Sequence, residues 1–162
     1  MIDTAMILAA GTGRRMLPLT ETRPKPLIEL QGRTLIDHAL DRLARAGIKR
    51  VIINLHHFAD KMRDHLNQRT DIEILYSDET ELLLDSGGGV KKALPLFEGQ
   101  SPLILVNADM IWLDDQQPGL IDRMGYYFTV RKRRFQHSFP VGLNSDVTSD
   151  CHTIGTDICS QS

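Results

Sequence analysis

Cysteine, long apolar runs and net charge are all scarce in this chain, and each scarcity removes a class of protein. Only two cysteines occur among 162 residues, Cys151 and Cys159, both near the end. Two cannot build a disulfide framework, so a reducing, cytoplasmic setting is expected. The apolar stretch at residues 5–10 is of strand length and too short for a signal segment with its flanks. Nothing approaches the roughly 20 apolar residues of a membrane span. The formal net charge is -2, which gives no overall basic field to recruit nucleic acid. Neither nucleic acid nor a membrane is therefore an expected partner. What is present fits a soluble globular chain of one-domain size, with 41% hydrophobic and 25% charged residues.

Periodicity gives the order of elements. Residues 4–9 form a short apolar run ending in Gly11-Thr12-Gly13, which reads as a buried strand entering a loop. Pro18, Pro24 and Pro26 make residues 17–26 loop. Thr34 opens an amphipathic helix, with Asp37 placed as in a capping box, Ile36, Leu40 and Leu43 as the apolar stripe, and Gly47 as the stop. Val51 to Leu55 reads as a second buried strand. Phe58, Met62 and Leu66 suggest a second helix, and Ile72, Ile74 and Tyr76 a third strand. The run Gly87-Gly88-Gly89 precedes a short helix around Val90 to Leu94. Pro102 to Val106 is a fourth strand, ending in Asn107-Ala108-Asp109. Alternation of strands and helices predicts an α/β fold with a Rossmann-like, doubly wound, mainly parallel sheet. Such sheets bind ligands outside the carboxyl ends of their strands. Parallel strands would bring the Gly11 loop, Leu55-His56-His57 and Asn107 with Asp109 to one rim.

Several residues on that rim have a chemical reading and a bland one. Gly11-Thr12-Gly13-Arg14-Arg15 follows a strand directly. Its glycines let backbone N–H groups approach a phosphate, and its arginines add bidentate charge. It also reads as a tight turn with solvated arginines. It is neither a dinucleotide fingerprint, since Met16 stands where a third glycine belongs, nor a P-loop. Lys25 lies between Pro24 and Pro26, and Pro26 biases it towards extended geometry; that aims an ammonium, or makes an ordinary stiff loop. Asp109 suits a hard cation shared with phosphate oxygens, or a loop aspartate. Asp85-Ser86-Gly87-Gly88-Gly89 offers flat backbone to a nucleobase, or a turn in which Asp85 or Ser86 caps the next helix. His38, His56, His57 and His65 lack metal-ligand spacing and read as surface or satisfied residues. Cys151-His152 and Cys159 lack the paired spacing of a zinc site. The basic run Arg131-Lys132-Arg133-Arg134 reads as a solvated stretch.

Taken in order, four motifs resemble the sugar-1-phosphate nucleotidyltransferase family. They are Leu8-Ala9-Ala10-Gly11-Thr12-Gly13-Arg14-Arg15-Met16-Leu17-Pro18-Leu19-Thr20, Pro24-Lys25-Pro26-Leu27, Leu84-Asp85-Ser86-Gly87-Gly88-Gly89, and Val106-Asn107-Ala108-Asp109. The triple glycine with Val90-Lys91-Lys92-Ala93-Leu94 leans towards the N-acetylmuramate-1-phosphate uridylyltransferase branch. Mannose-1-phosphate guanylyltransferase-like members are the near alternative. The resemblance implies a nucleotide-diphospho-sugar transferase fold. It implies a reaction in which a sugar 1-phosphate attacks the α-phosphorus of a nucleoside triphosphate, UTP by family preference, and releases pyrophosphate. Carried over by position, Gly11, Thr12, Gly13 and Arg14 would cradle the phosphates, with Ala9 and Ala10 backbone facing the base. Arg15 would grip the leaving pyrophosphate, and Lys25 the α-phosphate region. Gly88 would lie against the base and Asn107 near the ribose or sugar phosphate. Asp109 would hold Mg²⁺. The other class of reading is a non-catalytic nucleotide-binding remnant of the same family.

The resemblance stops near Asp114, and the second metal-binding aspartate of the family has no recognisable counterpart. No alanine follows Ala108 and no glutamate follows Glu98. The expectation is a nucleotide-binding domain at 1–124, its C-terminal half incomplete. An atypical tail at 125–162 is expected to be poorly ordered or translated out of frame. The oligomeric state is not set by any of these features.

Overall fold

The computed structural model describes residues 2–100 and 103–111. The tail, the run at 131–134 and both cysteines lie outside them.

Strand β1 (Thr4–Leu8) is buried along most of its length. A loop with two single-turn 3-10 helices, Arg14–Met16 and Lys25–Leu27, follows it. Next comes a small hairpin, β2 (Glu29–Leu30) with β3 (Arg33–Thr34). Its turn residues Gln31 and Gly32 both hold positive φ, 53° and 76°, the geometry of a two-residue hairpin turn. Two-residue strands carry too little alternation to be read from sequence, which is why this hairpin was not expected.

Helix α1 (Leu35–Arg45) starts where Thr34 predicts. The Asp37 amide donates to Thr34 Oγ1 at 3.3 Å, and that hydroxyl donates to the Asp37 carboxylate at 2.7 Å. The side chains thus bond to one another instead of closing the usual reciprocal capping box. Burial pushes the Asp37 carboxyl up, but bonds from Thr34, His65 and Arg69 outweigh it and hold it below its ordinary value. The depressed value means this contribution is present above the unfolded carboxylate pKa and lost as pH falls through the folded one. Gly47, at φ 81°, closes the helix as its left-handed stop.

Strand β4 (Arg50–Leu55), helix α2 (Ala59–Leu66), strand β5 (Glu73–Asp78), helix α3 (Ser86–Ala93) and strand β6 (Ile104–Asn107) complete the described fold. One expectation needs correcting. The glycine run does not precede α3 but lies within it, because Asp85 caps the helix by accepting from the Gly88 amide at 2.6 Å. That cap offsets part of the cost of about 1 kcal/mol that each helical glycine carries.

The main sheet has the order β5-β4-β1-β6, and all three pairings are parallel. This is the α/β, doubly wound arrangement expected. One face packs on α1 and α2 through Ala5, Ile7, Val51, Ile53 and Leu55 with Ile36, Leu40, Leu43, Met62 and Leu66. The other face packs Met6 and Ile52 against Ala93 and Phe97. Among the described residues, no helix is long and apolar enough to cross a membrane. Leu40 is fully buried between α1 and the sheet. Leu40→Ala is expected to destabilise the protein by about 2–5 kcal/mol, read as a lower urea midpoint at unchanged slope.

Candidate functional site

Strand order places the site. From β1 the chain moves outward through β4 to β5, then returns across the other face to put β6 on the far side of β1. The direction of winding therefore reverses between β1 and β6. The connections that leave their carboxyl ends run to opposite sides at this point and leave the crevice where open α/β sheets take ligands. The β1 loop opens on one side of it. Asn107 and Asp109 stand on the other, with Asn107 opposite Leu8 in register and the Ala108 amide donating to the Leu8 carbonyl at 3.1 Å.

The loop after β1 is built, not slack. Ala9 and Ala10 are buried, while Gly11, Arg14 and Arg15 are exposed and Thr12 half-buried. No heavy atom lies within 4 Å of where a side chain on Gly11 would begin. Gly13 is different. Its φ is 66°, and an added Cβ would meet Thr20 Cγ2 at 2.8 Å. Thr20, 3% exposed, donates its hydroxyl to the Gly13 carbonyl at 2.9 Å. Both the backbone angle and the contact demand glycine. Gly13→Ala is expected to cost about 1–3 kcal/mol through strain and displacement of Thr20, measured as a fall in thermal midpoint. Gly11→Ala, with open space above it, serves as the milder comparison.

Lys25 departs from its expected geometry. It is the first residue of a 3-10 turn, not an extended residue, because Pro24 is the extended cap and Pro26 occupies a position that needs no N–H. The turn closes through the Leu27 amide on the Pro24 carbonyl at 3.0 Å and the Ile28 amide on the Lys25 carbonyl at 3.1 Å. This directs the ammonium across the crevice to the Asp109 carboxylate, 84 residues away in sequence. A Cβ on Gly13 would stand 3.2 Å from Lys25 Cβ, so the glycine loop, the lysine and the aspartate form one cluster. Gly88 lies in the first turn of α3. Among the described residues, no group of three or more His, Cys, Asp or Glu side chains could hold a metal ion.

The third strand end carries charge of its own. Asp78 accepts from the Thr80 hydroxyl at 2.6 Å and amide at 2.8 Å, and it pairs with Arg63. The Thr80 bonds first, and Arg63 after them, hold its carboxyl down at about 2. The histidines are satisfied or exposed, as read from sequence. His38 bonds the Leu30 carbonyl at 3.0 Å, His56 the Glu79 carbonyl at 2.7 Å, and His65 the Asp37 carboxylate at 2.9 Å. An open depression lined by Ala44, Ile48, Thr70 and Asp71 lies at the opposite end of β4 and β5, and it gathers none of the rim groups.

Three residues of the rim were not singled out in the sequence: Thr20, Asn54 and Glu79. The signal for Asn54 was an amide inside the otherwise apolar Val51–Leu55. For Glu79 there was no pattern, because a glutamate just past a strand is ordinarily solvated.

The chain is similar to known proteins. The nucleotidyl transferase family matches residues 4–124. The chain belongs to that family. An N-acetylmuramate α-1-phosphate uridylyltransferase of Caulobacter vibrioides is 46% identical over 114 residues, covering 68% of this chain and 47% of that protein. Its namesake in Neisseria meningitidis is 43% identical, covering 66% and 47%. A mannose-1-phosphate guanylyltransferase catalytic subunit β of Drosophila pseudoobscura is 34% identical, covering 66% and 30%. The chain thus spans about half the length of the uridylyltransferases it matches. Among solved structures, the fold superposes on a UDP-glucose pyrophosphorylase from Acinetobacter with a TM-score of 0.72. Identity there is 18%, and coverage is 82% of this chain and 54% of that one. The nucleotidyl transferase fold is therefore present, with the Lys25–Asp109 cluster at its switch point.

Proposed function

We propose that this nucleotidyl transferase chain binds a nucleoside triphosphate, UTP by preference, and transfers its nucleoside monophosphate to a sugar 1-phosphate with release of pyrophosphate. The observation that carries the reading is the meeting of Lys25 and Asp109 beside the Gly13 loop. A lysine and an aspartate so far apart in sequence gain little from pairing at a partly exposed surface. They are what two anionic phosphates and a cation require at one point. The two uridylyltransferase relatives support UTP as donor and N-acetylmuramate 1-phosphate as acceptor; the guanylyltransferase relatives are the competing pair.

In this reading the backbone of Gly11, Thr12 and Gly13, with Arg14, cradles the phosphates, and Ala9, Ala10 and Gly88 face the base. Arg15 holds the leaving pyrophosphate. Lys25 aligns the attacking phosphate on the α-phosphorus, and Asn107 contacts ribose or sugar phosphate. No side-chain nucleophile is needed, since transfer at phosphorus depends on positioning and charge neutralisation. Asp109 is the residue that would hold Mg²⁺. One exposed hard carboxylate at a phosphate site fits that ion, which is commonly held by one or two carboxylates together with phosphate oxygens. When held there, the ion would help neutralise the charge of the phosphates.

We assign residues 1–124 as the nucleotide-binding domain, which the extent of the family match supports, and 125–162 as a separate tail. A cytoplasmic location suits substrates of this kind. The test is pyrophosphate release with Mg²⁺, comparing UTP and GTP across a panel of sugar 1-phosphates, with calorimetric nucleotide binding on the same sample. Sugar-dependent release is expected. Binding without release would assign the chain as a nucleotide-binding unit, and the absence of both would overturn the reading.

A further inference from the structure

Asn54 and Glu79 join the two glycine segments of the rim through buried polar bonds. Asn54 is 4% exposed and Glu79 1%. Asn54 Oδ1 accepts from the Ala9 amide at 2.7 Å, at the first residue beyond β1. Asn54 Nδ2 donates to Glu79 Oε1 at 2.8 Å. Glu79 Oε2 accepts from the Leu84 amide at 3.1 Å, just before the cap of α3. Gly89 presses on the same carboxylate: a Cβ there would lie 2.8 Å from Glu79 Oε1 and 3.1 Å from Asn54 Nδ2. Backbone bonds complete the frame, with the Glu79 amide on the Leu55 carbonyl at 2.7 Å. One amide and one carboxylate therefore tie the ends of β1, β4 and β5 to the start of α3.

The chemistry of this pair is not that of adhesive packing. A carboxylate taken out of water is costly, and both side-chain partners of Glu79 are neutral N–H groups. An apolar pair of the same volume would avoid that cost but leave the Ala9 and Leu84 amides without their acceptors. What the polar pair adds is direction: each bond fixes one backbone amide at one place. Those amides flank the loop at residues 9–13 on one side and the segment 84–89 on the other.

We propose that Glu79 and Asn54 are positioning residues, which hold the β1 loop and the α3 entrance at the separation a nucleotide needs. This rests on the reading that the rim binds a nucleoside triphosphate. The pair touches no phosphate itself. It acts by preorganising the two segments, so its loss raises the cost of ordering them when ligand binds.

Exchange of the two side-chain chemistries tests this. Asn54→Asp sets two carboxylates against each other. Glu79→Gln leaves one donor facing another, at either Asn54 or Leu84. The double variant Asn54→Asp with Glu79→Gln restores every bond and reverses only the one between the two side chains, since the aspartate accepts from Ala9 and from the glutamine amide, whose carbonyl accepts from Leu84. UTP affinity with Mg²⁺ by calorimetry, thermal midpoint, and amide hydrogen exchange at Ala9 and Leu84 are measured on the full chain. Each single variant is expected to lose about tenfold or more in affinity and to exchange faster at both amides, with the double variant recovering most of both. Gly89→Ala, which displaces the same carboxylate from the other side, should reproduce the loss. Single variants with unchanged affinity overturn the inference. So does a loss that follows the thermal midpoint and is not recovered by the double variant. If the wild-type chain binds no nucleotide, the functional reading fails separately. Amide exchange then decides the positional claim alone, and unaltered exchange at Ala9 and Leu84 overturns it.

Discussion

Replacing Arg15 with alanine is expected to lower nucleotidyl transfer by about 10²–10³-fold while leaving the fold untouched. The two halves of that statement have separate grounds. Arg15 is exposed, and the 3-10 turn that carries it buries no side chain. Surface changes of that kind ordinarily move stability by less than about 0.5 kcal/mol. The rate is another matter. In the proposed reaction, breaking the bond to the leaving pyrophosphate would develop negative charge on oxygens at the mouth of the β1 loop. A guanidinium meets two such oxygens at once with its planar fork. Removing one preorganised donor from a developing anion commonly costs this much. The loss should fall on kcat more than on KM, because the charge it answers is larger in the transition state than in the bound substrate. Steady-state kinetics on Arg15→Ala, with a thermal midpoint on the same preparation, checks both halves. Unchanged turnover removes Arg15 from the chemistry. A collapsed midpoint would show that the loop depends on it structurally.

The rim was legible in the sequence because its parts obey local rules. Gly47 stops a helix, Thr34 starts one, and the apolar runs at β1, β4 and β6 are too short for anything but buried strands. Parallel pairing then brings the strand ends together, so the Gly11 loop, Asn107 and Asp109 were expected on one rim, whereas Lys25 was singled out by its flanking prolines and by the family resemblance. What escaped notice depends on long-range geometry. Gly87, Gly88 and Gly89 are poor helix formers, and local propensity placed them outside α3. They are helical because Asp85 caps the first turn and because Gly89 must pass close to Glu79. Lys25 was expected to be extended on the strength of Pro26, yet the turn bonds from Leu27 and Ile28 override that bias. Asn54 lies on β4 and Glu79 just past the end of β5, 25 residues apart, and no spacing rule links them. Their contact follows from register alone.

Asp109→Asn is expected to weaken Mg²⁺-dependent nucleotide binding by at least about tenfold. The substitution keeps the volume and removes the charge. Asp109 sits at the carboxyl end of β6 with its side chain 42% exposed, paired with Lys25. Losing that exposed pair alters stability little, so a change in binding cannot be ascribed to unfolding. Magnesium prefers hard anionic oxygen, and an amide oxygen is a poorer ligand. Even outer partners of a metal site are commonly worth 10–100-fold in affinity, so loss of the ligating oxygen itself should cost no less. The sign of the metal-free arm separates this role from a general electrostatic one. Without Asp109 the Lys25 ammonium has lost its carboxylate neighbour, which favours a triphosphate. Binding of UTP in chelator should therefore hold or strengthen, while the increment gained on adding Mg²⁺ shrinks. A titration of Mg²⁺ into the UTP complex reads that increment directly. An unaltered titration would remove Asp109 as a metal ligand and leave it as the partner that holds Lys25 across the crevice.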